Sequence, residues 1–202
     1  TLSWNTAFEK AGFRGAIEVK VQPDDADWDA GDIRYNVLRW IAAPDPQFSG
    51  YGPHFANPRT GQILGSDVML EFSSLRRYQE VEAIYDTSRL FAARDRGHEG
   101  LYRQLAFGLS ALMAMGADAM QQSAMVDDWL RSLVVHEIGH ALGLNHNFRA
   151  SQYRPLSQLH DRVETGRTGV SASVMDYEAT NVAQPGQPQG HYWSTVPGPY
   201  DD

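Results

Sequence analysis

The stretch VVHEIGHALGLNHNF, residues 134–148, places three of the chain's seven histidines within eleven positions of an otherwise apolar run. Wound as a helix at about 100° per residue, His136 and His140 fall on one face and can reach one ion. Glu137 lies one residue round, within reach of a water on that ion but poorly placed as a third ligand. A continued helix would carry His146 about 15 Å from His136, out of range. The helix must therefore stop and turn back, and Gly143 is where it can, because glycine adopts the left-handed conformation that ends helices. Three neutral nitrogens with an open fourth position describe a catalytic Zn2+ site rather than a closed structural one. The chain has no cysteine, so any metal site must use His, Asp or Glu.

A bare H-E-x-x-H can arise by coincidence; Gly143 and His146 at these offsets make coincidence remote. His54, His98, His160 and His191 have no such spacing and read as ordinary surface or core histidines. A rival zinc hydrolase would draw its third ligand from a downstream carboxylate, Glu164 or Glu178, but that leaves His146 unexplained. A rival of another class is a non-catalytic or latent module that keeps zinc for stability, against which Glu137 argues, since a structural site has no use for a general base.

Several elements must position these residues. GAIEVKV (15–21) alternates and reads as a strand, as does DIRYNVLRWIA (32–42), with Ile33, Tyr35, Val37 and Arg39 on one side. Residues 51–72 read as a hairpin, with Pro58 setting a turn after Asn57, Gly61 closing it and the second arm running from Gln62 to Phe72. From Ser73 to Gln122 the period becomes helical, through Leu75, Tyr78, Val81, Ile84 and Tyr85 and again through Leu101, Leu105, Leu109, Leu112 and Met113. MGADAM can break the second helix. The histidine-bearing helix is expected to start at a cap on Asp127 or Asp128 and end near Leu142. Beyond residue 147 the chain reads as loop-rich, with Pro and Gly crowding its tail. Strands first, then helices, then an irregular end imply an α+β domain.

The 202 residues suffice for one domain with a proper core, and the net charge of −8 argues against a nucleic-acid partner. No run is long enough to span a membrane. The acidic PDDADWD reads as a solvated loop. The chain begins without an initiator Met or a signal-like apolar segment, and is expected to be a piece of a longer product.

HEIGHALGLNH matches the metzincin signature H-E-x-x-H-x-x-G-x-x-H at every specified position, and SVMDY (173–177) resembles the methionine turn of astacins and serralysins. WNTAFEKAGF, DIRYNVLRW, GPHFANPRTGQIL, LGLNHNFRAS and NVAQP extend the likeness. Together they resemble the Met-zincin catalytic domain of large bacterial zinc-dependent metalloproteases. The resemblance implies a twisted, mostly parallel sheet with an antiparallel edge strand, an active-site helix ending at a glycine, and an irregular C-terminal subdomain carrying the Met-turn. Residues 1–146 and 147–202 would be the two subdomains, and 73–126 an insertion. It further implies one zinc ion on His136, His140 and His146, Glu137 as general base, Met175 as the floor beneath the metal and Tyr177 as zinc ligand or oxyanion donor. The implied activity is endopeptidase, on a polypeptide bound extended along an edge strand, in an exported multi-domain protein. One departure is Asn147, which follows the third histidine where several subfamilies carry an acid, leaving the partners that orient the ligands open.

Overall fold

The histidine-bearing helix begins nearly three turns before its expected cap. The computed structural model describes residues 1–43, 48–71 and 99–202, and in it this helix runs Ala119–Ala141. Its N-cap is Asp118, not Asp127 or Asp128. The Asp118 carboxylate accepts the Gln121 N–H at 2.8 Å, and the Gln121 side chain accepts the Asp118 N–H at 3.0 Å. This reciprocal capping box satisfies two donors that a helix start otherwise leaves open. The preceding helix ends at Gly116, whose φ of 77° allows the reversal, so MGAD both closes one helix and opens the next. Asp127 is exposed mid-helix; Asp128 is buried there, accepting from His191 Nδ1 at 3.0 Å and from the Tyr192 N–H at 2.9 Å.

In chain order the elements are α1 (Trp4–Lys10), β1 (Val37–Ile41), β2 (Gly50–Tyr51), β3 (His54–Ala56), β4 (Ile63–Glu71), α2 (Glu99–Ala114) and α3 (Ala119–Ala141). A 3-10 turn (Ala150–Gln152), α4 (Leu156–Leu159) and α5 (Arg162–Thr168) follow, and residues 169–202 form no helix or strand. The helical pattern read around Leu75–Tyr85 lies outside the described residues, as does His98.

Among the described residues the sheet is mixed. The central strand β4 pairs with β1 in parallel, Val37 opposite Asp67, and with β2 and β3 antiparallel. The mostly parallel sheet implied by the resemblance is therefore represented here by one parallel ladder. The β3–β4 hairpin turns as its residues dictate. Gly61 adopts φ 75° and donates its N–H to Asn57 O at 2.8 Å, and the Asn57 N–H donates to Gln62 O at 2.8 Å. Val37, Arg39 and Ile41 share the more sheltered face of β1, where Arg39 pairs with Asp67 at 2.7 Å.

The expected strand at 15–21 does not form. Asn5 takes both backbone groups of Ile17, accepting its N–H at 2.8 Å and donating to its C=O at 2.9 Å. Val19 and Val21 are left 52% and 92% exposed. β-branched alternation describes a residue that fits a half-buried pleat, and here no neighbouring strand among the described residues supplies one.

Helix α3 sits between two cores. One gathers Leu70, Leu105, Leu109, Leu112, Met125, Trp129, Leu133, Tyr192 and Trp193, joining α2 to the irregular tail. The other gathers Trp4, Ala7, Val68, Val135, Ile138, Val174 and Met175. Strand β4 contributes Leu70 to the first and Val68 to the second. Apolar residues on opposite sides of α3 thus bury much of its C-terminal half, Leu133–Gly139, between sheet, α1 and tail, while Met120 and Asp127 in its first half stay exposed.

Candidate metal centre

Helix α3 ends in a Schellman motif. Gly143, at φ 92°, donates its N–H to His140 O at 2.9 Å, and the Leu144 N–H donates to Gly139 O at 3.0 Å. The chain folds back across the helix end and brings His146 onto the face carrying His136 and His140. The Nε2 atoms then converge: His146 lies 3.0 Å from His140 and 3.2 Å from His136. A tetrahedral ion at zinc–nitrogen distance holds its ligand nitrogens about 3.3 Å apart.

The outer nitrogens fix what the inner ones offer. His136 Nδ1 donates to Val174 O at 2.6 Å and His140 Nδ1 to Leu144 O at 2.9 Å. Their Nε2 atoms are therefore lone-pair donors that face one another, an arrangement a cation resolves. The partners left open by Asn147 are thus backbone carbonyls. Asn147 itself helps to set the turn, its N–H donating to Met175 O at 2.9 Å.

Glu137 is 2% exposed, and burial pushes its carboxyl up to about 7, opposed by a hydrogen bond from the Gly52 N–H. Strand β2 lies directly on it. A Cβ at Gly50 would meet Glu137 Oε1 at 2.6 Å, and one at Gly52 would meet the Glu137 carbonyl oxygen at 2.0 Å. Tyr177 brings its hydroxyl 2.8 Å from His146 Nε2, and burial, with a smaller push from Glu137, raises that phenol to about 12. It stays protonated at neutral pH and can donate. Met175, 1% exposed, lies under α3 with its sulfur against Gly139.

The structure thus brings together His136, Glu137, His140, His146 and Tyr177, with Gly143 and Met175 shaping the turn and the floor. It does not bring in the rival carboxylates. Glu178 is buried on the Ser194 N–H and hydroxyl, and Glu164 pairs with Arg167 at the surface. Among the described residues, the three histidines are the cluster whose ligand atoms fit one ion, all within 4.8 Å of one another.

Residues 118–202 match a family model described as Met-zincin. The chain carries a metzincin-like domain. No curated protein and no solved structure matches it. The matched segment begins at the cap of α3 and includes all three histidines, Glu137, Met175 and Tyr177, whereas Gly50, Gly52 and His54 lie outside it.

Four contributors to this centre were not singled out by sequence reading. Gly50 and Gly52 had a signal, because G-x-G inside a strand pattern marks a close backbone approach. His54, read as an ordinary surface histidine, is exposed but contacts His140 O through Nδ1 at 2.8 Å, fastening β3 to the helix end. Asp201 had no signal. Its carboxylate accepts the N–H groups of Val174 and Gly198, both at 2.8 Å, and so holds the turn that faces His136. The remaining histidines agree with the ordinary reading: His191 pairs with Asp128, and His160 is partly buried.

Proposed function

We propose that the chain is a zinc-dependent endopeptidase domain. The observation that carries this reading is the convergence of three imidazole nitrogens beside a buried carboxyl, Glu137. A zinc ion held by His136, His140 and His146 would supply a Lewis acid and a water whose pKa is lowered to about 7. Glu137 would take a proton from the attacking water and return it to the leaving amine. The Tyr177 hydroxyl donates to the oxyanion that develops on the scissile carbonyl. Met175 packs beneath as a Met-turn, fixing the distance between SVMDY and α3.

An extended polypeptide would pair along the β2–β3 edge, where Tyr51 and Phe55 are about half exposed and His54 fixes the strand to the helix end. Residues 1–146 and 147–202 form the two sides of the cleft in this reading. Export, and further domains of the same polypeptide, are part of the same proposal and rest on the resemblance. No helix among the described residues is long and apolar enough to cross a membrane. The non-catalytic alternative gives no task to Glu137.

The deciding experiment is Glu137→Gln. The variant keeps its zinc, because the three imidazoles are untouched, and loses peptide hydrolysis by roughly 100-fold or more, as removal of a general base requires. Full hydrolysis by a zinc-loaded Glu137→Gln protein would exclude Glu137 as the base. Zinc binding by the parent with no cleavage of any unfolded protein or peptide library would favour the non-catalytic module.

A further inference from the structure

We infer that Asp201 is a positioning residue for His136, acting through Ser173 and the Val174–Met175 peptide group. Three hydrogen bonds run in one direction. His136 Nδ1 donates to Val174 O at 2.6 Å. The N–H of the same peptide group, that of Met175, donates to Ser173 Oγ at 3.0 Å. The Ser173 hydroxyl donates to Asp201 Oδ1. The other carboxylate oxygen, Oδ2, takes the Val174 and Gly198 N–H groups.

Each bond strengthens the next. Negative charge on Asp201 makes Ser173 Oγ a better acceptor. That draws the Met175 N–H, polarises the Val174 carbonyl and tightens its hold on the imidazole N–H. The effect at Nε2 is that of a carboxylate bound directly to a ligating histidine: a fixed tautomer, a fixed ring and a more basic nitrogen. His136, Ser173 and Val174 are each less than 5% exposed, so water does not screen the chain of dipoles. The charge thus reaches His136 from the far end of the chain, while the residue after the third histidine, Asn147, is neutral.

A purely structural Asp201 would need only the two N–H groups on Oδ2, which tie residues 198–201 to the turn. The Ser173 link is a third tie to the same turn, and of these bonds it is the one that leads on to the Met175 N–H, which makes Ser173 the discriminating position. Because the relay ends on a metal ligand, it rests on the zinc site proposed above.

The test compares Asp201→Asn, Ser173→Ala, Ser173→Thr and the double variant Asp201→Asn/Ser173→Ala, each checked for folding by near-UV circular dichroism. Zinc dissociation constants come from competition with a chromophoric chelator. The His136 Nδ1 proton shift comes from 15N-histidine-labelled, zinc-loaded protein. Asn at 201 keeps an acceptor for the two backbone donors but turns an amide toward Ser173, reversing the link. Asp201→Asn and Ser173→Ala each weaken zinc binding roughly tenfold and move the Nδ1 proton upfield. The double variant is no worse than either single, and Ser173→Thr, which keeps the hydroxyl, stays near the parent. Folded Asp201→Asn with parental affinity and proton shift overturns the relay, as do single losses that multiply in the double variant. Asp201→Asn alone decides if Ser173→Ala does not fold. Affinity changes as described in a chain that cleaves nothing would sink the peptidase reading and leave the relay standing. A parent that binds no zinc removes both.

Discussion

The sulfur of Met175 lies against the backbone of Gly139, three residues after His136 and one before His140: a Cβ at residue 139 would come within 2.3 Å of Sδ and 3.2 Å of Trp4 Cζ2. Two effects oppose each other in Gly139→Ala. Helix propensity favours alanine by about 1 kcal/mol in an exposed helix interior. Overpacking a full core costs about 1–3 kcal/mol, and here both neighbours are themselves buried, so overpacking wins. The variant should melt at lower temperature than the parent and bind zinc more weakly, because moving Met175 also moves Val174, the partner of His136. Thermal melting with chelator competition checks both, and a variant that melts higher would mean that the sulfur has room to move.

Glu137 and strand β2 are as close, and the two glycines there predict different outcomes. At Gly50 the obstacle is the Glu137 side chain from Cγ outward, at 2.6–2.9 Å, which must swing to another rotamer while the helix backbone stays in place. Gly50→Ala should therefore fold, keep zinc and hydrolyse peptides at least tenfold more slowly, a displaced base costing less than the roughly 100- to 10,000-fold of a lost one. At Gly52 the obstacle is the carbonyl oxygen of Glu137, part of a helix that cannot give. Gly52→Ala should lift β2 away, remove the Gly52 N–H from Glu137 and lower stability as well as hydrolysis. Metal analysis, melting and peptide cleavage on the two proteins together separate these outcomes; equal behaviour would mean that β2 moves as freely as a side chain.

The candidate centre is legible in the sequence where its geometry is local. The i, i+4 pair, the glycine and the third histidine lie within one turn and one reversal, so spacing alone fixes their meeting. The β3–β4 hairpin is legible for the same reason, through Asn57, Pro58 and Gly61. What is missed depends on partners distant in the chain. Nothing near Ile17 says that the side chain of Asn5 will occupy its backbone groups in place of a strand. Asp127 and Asp128 look like caps because they precede the apolar stripe. The helix continues back to Asp118 because Met125 and Trp129 are buried against α2 and the tail, contacts the local pattern does not contain. Asp201 is invisible for the same reason, since its role exists only once the tail returns to residues 173–175.

Gly143 predicts a ranking rather than a single loss. Its φ is 92°, yet a Cβ there meets only Ile63 Cδ1 at 3.5 Å, so conformation and not space is what requires glycine. Alanine in the left-handed region costs about 1–2 kcal/mol, and asparagine visits it more readily. Gly143→Asn should retain more stability and more zinc affinity than Gly143→Ala, with His146→Ala weakest in zinc affinity because it removes a ligand outright. Denaturant titration and zinc competition give the order. Alanine equal to asparagine at 143 would show that the reversal bringing in His146 does not depend on a left-handed residue.

Glu178 predicts how stability depends on pH. It is 6% exposed, and desolvation raises its carboxyl from about 4.5 to about 7 against hydrogen bonds from Ser171 and Ser194. The unfolded chain releases this proton near pH 4.5, whereas the folded chain keeps it to about 7. Between those values the folded state binds more protons, so stability falls as pH rises, and above 7 the full penalty is present. The size is on the order of 3 kcal/mol for a shift of this extent. Other groups titrate over the same window, Glu137 among them, so the quantity to measure is a difference. Urea titrations of the parent and of Glu178→Gln, at equal zinc load from pH 5 to 8, should show the parent losing stability relative to the variant as pH rises. A difference that stays flat across the window, or runs the other way, would mean that the Ser194 and Ser171 donors outweigh burial and that Glu178 is already ionised at pH 5.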